Sequence, residues 1–230
     1  MVSILLLGLA CFHESPAPPA QEAPTVQAPA VQAPAAVSIH RMRGAVLRDG
    51  GALAFRPCGE EGLVGIQGAA LSDLEEVYTS LAEEDAGAVV GVELTGALGE
   101  LGEQRVLDVA AVAMALPPGQ EGLCAYDSSF SYRARGQEPF WAMTVAEEQL
   151  TYSSPDLDSP MQVRVIPTRQ PGGAISFSGA LEGHHVDLSL QPTRCRDDMS
   201  GAVFPFIATA LVDGGSLHGC GEQGWVGGMR

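Results

Sequence analysis

The sequence of 230 residues contains no lysine, and all 12 of its basic residues are arginines. The absence of lysine excludes Schiff-base and pyridoxal chemistry and the P-loop, because each of them needs a lysine amine. With 28 acidic residues, the formal charge is −16 and is spread along the chain without a block of one sign. Such a charge promotes solubility and does not favour binding to phosphates. We therefore expect no nucleic-acid partner.

The N-terminal apolar run is too short for a membrane-spanning helix, which needs about 20 apolar residues. Residues 4–10 (ILLLGLA) form this run, and Cys11 follows it directly. An apolar run that ends in small residues before a cysteine is typical of a lipoprotein signal peptide. No basic residue precedes the run, and Gly8 stands where leucine is usual, so an ordinary secretory peptide is the alternative. We predict a signal peptide with lipobox at residues 1–11 and a lipid anchor on Cys11.

Residues 12–37 are rich in proline and alanine and contain the short repeat VQAPAVQAPA. Proline at this density favours polyproline II, which rises about 3.1 Å per residue, so this segment could span roughly 80 Å. We predict a disordered tether between a membrane and the folded part. The signal and the tether together predict an exported, lipid-anchored protein of the bacterial cell envelope, mostly exposed to the periplasm.

The four remaining cysteines form no CxxC and no paired metal-ligand spacing. An even number in an exported chain indicates disulfides, with three possible pairings. We predict Cys58–Cys124 and Cys195–Cys220, because each bridge then lies within one predicted domain. The alternative is a soft-metal site for copper(I) or zinc. Its ligands would come from His184, His185, Cys195, Met199, His218 and Cys220.

Residues 38–125 show a β-β-β-α-β-β order. Strand-like runs occupy residues 40–47, 52–58, 63–66, 89–95 and 105–114. Between the third and fourth runs, Ser72 and Glu75 form a predicted capping box at the start of a helix. The apolar face of this helix consists of Leu74, Val77, Tyr78 and Leu81. This order predicts a five-stranded Greek-key barrel of the OB type with one helix.

This first segment resembles the OB-like domain of the NlpE family of envelope lipoproteins. The resemblance rests on residues 40–50 (HRMRGAVLRDG), residues 54–58 (AFRPC), a helix, and the strand at residues 92–96 (VELTG), in that order. It implies an OB-like barrel in an envelope lipoprotein. The second domain of that family, which carries a CxxC motif, has no counterpart here. Its copper and redox roles are therefore not transferred to this chain.

Residues 126–230 contain evenly spaced strand-like runs separated by Gly, Pro, Asp and Ser clusters. This pattern predicts a small domain built as an antiparallel meander or barrel. The predicted fold class is therefore mainly β, with two small β-barrel-like domains at residues 38–125 and 126–230.

Three motifs stand out in the second segment: GQEPFW at residues 136–141, CRDDMSG at 195–201 and LHGC at 217–220. They resemble a family of uncharacterised bacterial envelope proteins, which brings no known reaction. Glu138, Phe140 and Trp141 are candidate ligand contacts, since a carboxylate can orient a ligand and aromatic rings supply contact area. The alternative is that Phe140 and Trp141 fill a barrel.

No catalytic set emerges from the sequence. Asp197 and Asp198 are adjacent and would point in different directions, and Ser200 lacks the GxSxG context of a nucleophile. We therefore expect no enzyme and no cofactor. The predicted function is a non-enzymatic binding, sensing or interaction module of the cell envelope. Its predicted partners are the membrane, through the lipid anchor, and another envelope protein or a small ligand. The alternative function is envelope binding of copper or zinc, or resistance to these metals.

Overall fold

The computed structural model describes residues 38–83, 85, 87–120, 122–125 and 129–224. The predicted signal peptide with Cys11 and the predicted tether at residues 12–37 lie outside the described residues. The described residues belong to one compact unit, which contains two β-sheets and one long helix. Within these ranges, no helix is both long and apolar enough to cross a membrane.

The first sheet closes into a five-stranded barrel. Its elements are β1 (His40–Asp49), β2 (Ala52–Pro57), β3 (Val64–Gln67), α1 (Leu71–Ala82), β4 (Val90–Leu101) and β5 (Gln104–Leu116). Strand β1 pairs with β2 and with β4, and β2 pairs with β3. Strand β3 runs parallel to β5, and β5 pairs with β4, so the pairings form a ring. The predicted element order and the barrel-like form of this segment are confirmed.

Helix α1 packs its predicted apolar face onto this barrel. Leu74, Val77, Tyr78 and Leu81 are all buried in one core cluster with residues from all five strands. The predicted capping box is wrong, because the helix begins at Leu71 and Ala70 occupies the N-cap without a side-chain hydrogen bond. The backbone N–H of Ala70 donates to the carbonyl of Val109 in β5, so the barrel fixes the start of the helix.

The second half of the chain contributes strands to both sheets. Its strands are β6 (Tyr132–Gln137), β7 (Phe140–Ala146), β8 (Gln149–Ser153), β9 (Met161–Arg164), β10 (Ile166–Arg169), β11 (Ile175–Leu181), β12 (His184–Gln191), β13 (Cys195–Arg196), β14 (Val203–Phe204), β15 (Phe206–Val212) and β16 (Gly215–Gln223). Two short 3₁₀ turns, Gly122–Ala125 and Pro171–Gly173, lie outside the strands. Strands β13 and β14 belong to the first sheet, and the other nine form an antiparallel sheet in the order β10-β11-β12-β15-β16-β6-β7-β8-β9.

This nine-stranded sheet curls until its two edges approach each other. The edge strands β9 and β10 are separated along the chain by Val165 alone. Strand β11, next to β10, also passes close to β9, since a Cβ added to Gly179 would lie 2.3 Å from the Arg164 carbonyl oxygen. Buried residues from most of these strands form one interior cluster, with Val163 and Val165 among its members. The predicted mainly-β, barrel-like class is therefore confirmed for this segment as well.

Residues 192–205, which we name the crossing segment, connect β12 to β15 and leave the second sheet. Strands β13 and β14 of this segment pair with each other, and Val203 of β14 pairs with Ala115 of β5. The second half of the chain thus adds two short strands to the first sheet. A third core cluster forms at this junction. It contains Met114, Leu116, Leu123, Ala202, Phe204 and Cys220.

Candidate functional site

Both predicted disulfides are present. Cys58 is bonded to Cys124, and Cys195 is bonded to Cys220. The second bridge joins the crossing segment to β16. With Cys195 and Cys220 bridged, the two thiolates that the copper or zinc alternative would use are not available. Within the described ranges, no group of three or more His, Cys, Asp or Glu residues is placed to hold a metal ion.

The GQEPFW motif forms the turn between β6 and β7. Gly136 lies directly opposite Trp141 in the register. A Cβ on Gly136 would lie 2.2 Å from the Trp141 indole nitrogen and 2.3 Å from the His218 carbonyl oxygen, so no larger residue fits there. Trp141 is 1% exposed and its indole N–H donates to the His218 carbonyl at 3.2 Å. Of the three candidate ligand contacts, Trp141 therefore fills the barrel.

The outward face of the same turn has a different role. Gln137 and Phe140 are directly opposite each other, so their side chains share one face, and this face points away from the barrel interior. The Gln137 amide donates to Asp197 Oδ2 at 3.4 Å. Phe140 is 57% exposed, and Glu138 at the turn is also exposed. Glu138 and Phe140 are thus accessible beside the crossing segment.

Asp197 fixes the conformation of the CRDDMSG motif. Its carboxylate accepts hydrogen bonds from the Ser200 backbone N–H at 2.8 Å and from the Ser200 hydroxyl at 2.6 Å. Burial raises the pKa of Asp197, but the hydrogen bonds from Ser200 and Gln137 and the charge of Arg135 outweigh it, so the pKa is lowered. The carboxylate therefore holds the turn together and, with Ser200, is occupied by structural hydrogen bonds.

Helix α1 supports the crossing segment from the other side. The guanidinium of Arg194 forms an ion pair with Asp73 in the first turn of α1, and Arg196 donates to the Ser80 hydroxyl at 2.7 Å. The hydrogen bond from Arg194 lowers the pKa of Asp73 below its usual range. Elements of both barrels thus support the crossing segment.

Four exposed residues lie where the β6–β7 turn meets the crossing segment, and we name them the contact surface: Glu138, Phe140, Asp198 and Met199. Met199 is 75% exposed and follows Asp197 by two residues. Sequence reasoning placed Met199 in the alternative metal set and did not identify it as a neighbour of the β6–β7 turn. Asp197 and Gln137 are 60 positions apart, and no local pattern in the sequence reports their contact.

A buried charge network lies on β1 and β4, and sequence reasoning did not identify it. Glu93 in β4 is 1% exposed and accepts hydrogen bonds from Arg41 Nε at 2.7 Å and Arg43 Nε at 2.8 Å. Arg41 also reaches Gln223 of β16, with 3.4 Å between the guanidinium nitrogen and the amide oxygen. Within the second sheet, Glu222 of β16 lies 3.9 Å from Arg133 of the paired strand β6. The hydrogen bond from Arg41 to Gln223 therefore links the first sheet to the second.

The arrangement offers two exposed apolar side chains and two exposed carboxylates on a rigid support, which suits binding. Comparison with protein-family models, with curated proteins and with solved structures finds no match to this chain. The function is therefore argued from the contact surface itself.

Replacing Asp197 with asparagine is expected to lower the free energy of unfolding by about 1–3 kcal/mol at neutral pH, because the charge-assisted hydrogen bonds from Ser200 are weakened. Since the folded-state pKa is lowered, the carboxylate stabilises the fold above its unfolded pKa of about 3.9. This stabilisation is lost as the pH falls through the folded pKa. Urea unfolding of both proteins from pH 7 to pH 3 measures it.

The matched control is Asp198→Asn, which changes the exposed neighbouring carboxylate and should shift the unfolding free energy by less than about 0.5 kcal/mol. Equal stability of the Asp197→Asn protein and the wild type at neutral pH would contradict the structural role of the Asp197 carboxylate. A difference in unfolding free energy between these two proteins that grows as the pH falls would also contradict this role.

Proposed function

We propose that this chain is a lipid-anchored binding module of the bacterial cell envelope that uses the contact surface to bind another envelope protein or a small ligand. Its signal pattern and Cys11 support export and anchoring, and the Pro/Ala-rich segment supports a spacer. The two disulfides are compatible with an oxidising compartment. Within this proposal, the first barrel is an OB-type module similar to that of the NlpE family.

The observation that carries the proposal is the exposure of Phe140 and Met199 on two turns that hydrogen bonds hold in place. Phe140 is 57% exposed and Met199 is 75% exposed, while the turns that carry them are held by the Gln137–Asp197 and Asp197–Ser200 hydrogen bonds. The Gln137–Asp197 hydrogen bond joins the turns that carry them, and exposed large apolar side chains grouped on one surface mark interaction sites more often than scattered ones. Burying such a side chain in a partner contributes about 1.5–3 kcal/mol to the free energy of binding, because folding of this chain leaves the side chain exposed to water.

The double variant Phe140→Ser/Met199→Ser is expected to reduce partner recovery at least about tenfold without changing the fold, because both side chains are exposed. The measurement is quantitative mass spectrometry of proteins and small molecules that co-purify with the full chain from native membranes. The control is Ile166→Ser, since Ile166 is 75% exposed and lies outside the contact surface. Equal loss in the Ile166→Ser protein, or no loss in the double variant, would contradict the proposal.

The proposed anchoring has its own test, which is the mass of the peptide containing Cys11 in protein extracted from native membranes. A diacylglyceryl group on Cys11 is the expected result. An unmodified Cys11 in membrane-extracted protein would remove the lipid anchor from the proposal and leave the contact surface unaffected.

A further inference from the structure

We infer that the occupant of the contact surface is a protein segment in which arginine or lysine side chains flank an apolar side chain. This inference rests on the proposed function and specifies the chemistry of the partner. Its basis is the pair of carboxylates on the turns that carry Phe140 and Met199, together with the partners of the arginines nearby.

Exposed carboxylates adjoin both apolar side chains. Glu138 lies two residues before Phe140, and Asp198 directly precedes Met199. Neither carboxylate has an ion pair or side-chain hydrogen bond within the described part of the chain. Since Gln137 links the two turns, Glu138 and Asp198 lie at the same junction as the apolar pair. The contact surface therefore combines an apolar centre with two carboxylates that remain available to cations.

The arginines near this surface have other partners. Arg194 pairs with Asp73, and Arg196 donates to Ser80 of helix α1. The guanidinium of Arg135 stacks over the Phe204 ring, with 4.7 Å between its carbon and the ring centroid. Arg194 is thus paired with a carboxylate, whereas Arg196 contacts a neutral hydroxyl group and remains exposed. The two charged side chains of the contact surface itself, Glu138 and Asp198, are both exposed carboxylates.

The sign of this charge selects among classes of partner. An anionic lipid surface would be repelled by Glu138, by Asp198 and by a chain with a formal charge of −16. A basic protein segment is attracted, and its apolar side chain would cover Phe140 and Met199. Such complementarity accelerates association and sets specificity, and it weakens as salt screens the charges.

The inference is tested by selecting random displayed peptides of about 12 residues on the disulfide-bonded full chain. The most enriched peptide is then synthesised with a fluorophore, and its binding is followed by anisotropy at low and high salt. Three proteins are compared with the wild type: Glu138→Gln/Asp198→Asn, Phe140→Ser/Met199→Ser, and the control Glu103→Gln/Ile166→Ser. Vesicles of phosphatidylglycerol serve as the lipid probe.

The expected result is enrichment of peptides that carry cations beside an apolar residue. Their affinity should fall about tenfold in the Glu138→Gln/Asp198→Asn protein, and more in the Phe140→Ser/Met199→Ser protein. The control protein should bind as the wild type does. The salt dependence should be weaker in the charge variant, because fewer charges are then screened.

Other outcomes overturn the inference in distinguishable ways. Peptides without cations that need Phe140 and Met199 but not the carboxylates would overturn the partner chemistry and leave the proposed binding function standing. Binding of the phosphatidylglycerol vesicles through this surface would also overturn it, in favour of a lipid partner. Failure to enrich any peptide sensitive to the Phe140→Ser/Met199→Ser change would count against both the inference and the proposed surface.

Discussion

Replacing Glu93 with alanine is expected to lower the free energy of unfolding by about 3–5 kcal/mol. Glu93 is 1% exposed and accepts hydrogen bonds from both Arg41 and Arg43. Removing its carboxylate takes the Glu93 charge away from the Arg43 guanidinium, whose side chain is 5% exposed. Breaking a buried pair in this way costs more than the pair contributes when intact, because one charge stays desolvated.

Urea unfolding followed by circular dichroism measures this effect. The matched control is Glu100→Ala on the same strand, because Glu100 is exposed and its removal should cost less than about 0.5 kcal/mol. A loss below about 1 kcal/mol for Glu93→Ala would show that the ion pairs on β1 and β4 are not buried as described.

Removing either disulfide is the second change with a large expected effect. Cys195 and Cys220 are 25 positions apart and Cys58 and Cys124 are 66 apart, so the chain-entropy model gives losses of about 3.5 and about 4.4 kcal/mol. The measurement is urea unfolding of Cys195→Ala/Cys220→Ala and of Cys58→Ala/Cys124→Ala beside the oxidised wild type. Unchanged stability in either double variant would contradict a structural role for that bridge.

The two bridges should differ in their effect on binding. Cys195 begins the strand that leads directly into Asp197, so its loss is expected to release the crossing segment and weaken binding at the contact surface. The Cys58–Cys124 bridge lies on the first barrel, and its loss should leave binding intact in protein that is still folded. Equal binding by the two double variants would contradict the claim that the Cys195–Cys220 bridge positions this surface.

Local patterns in the sequence were sufficient for much of the fold. The spacing of Leu74, Val77, Tyr78 and Leu81 identified the buried face of α1, because helical periodicity is a local property. The disulfide pairing was predicted by placing each bridge within one segment. The predicted capping box is wrong because the start of α1 is set by the backbone hydrogen bond from Ala70 to Val109, a residue that is remote in sequence.

The contacts at the junction between the two sheets could not be predicted from the sequence either, because they join residues that are far apart along the chain. The crossing segment lies between two strands of the second sheet, yet Val203 pairs with Ala115 of the first. Glu93 is flanked in β4 by the apolar residues Val92 and Leu94, and nothing local shows that it meets Arg41 and Arg43. Phe140 was recognised as a candidate contact from its motif, whereas its position beside the crossing segment depends on tertiary structure alone.

Photo-crosslinking in the native cells tests the proposed contact surface most directly. A photoreactive phenylalanine analogue replaces Phe140 in one protein and Ile166 in another, since both side chains are exposed and only Phe140 belongs to the contact surface. The prediction is a discrete adduct from position 140 that disappears when Met199→Ser is added, and no such adduct from position 166. Identical adducts from both positions, or an adduct from position 140 that is indifferent to Met199→Ser, would contradict it.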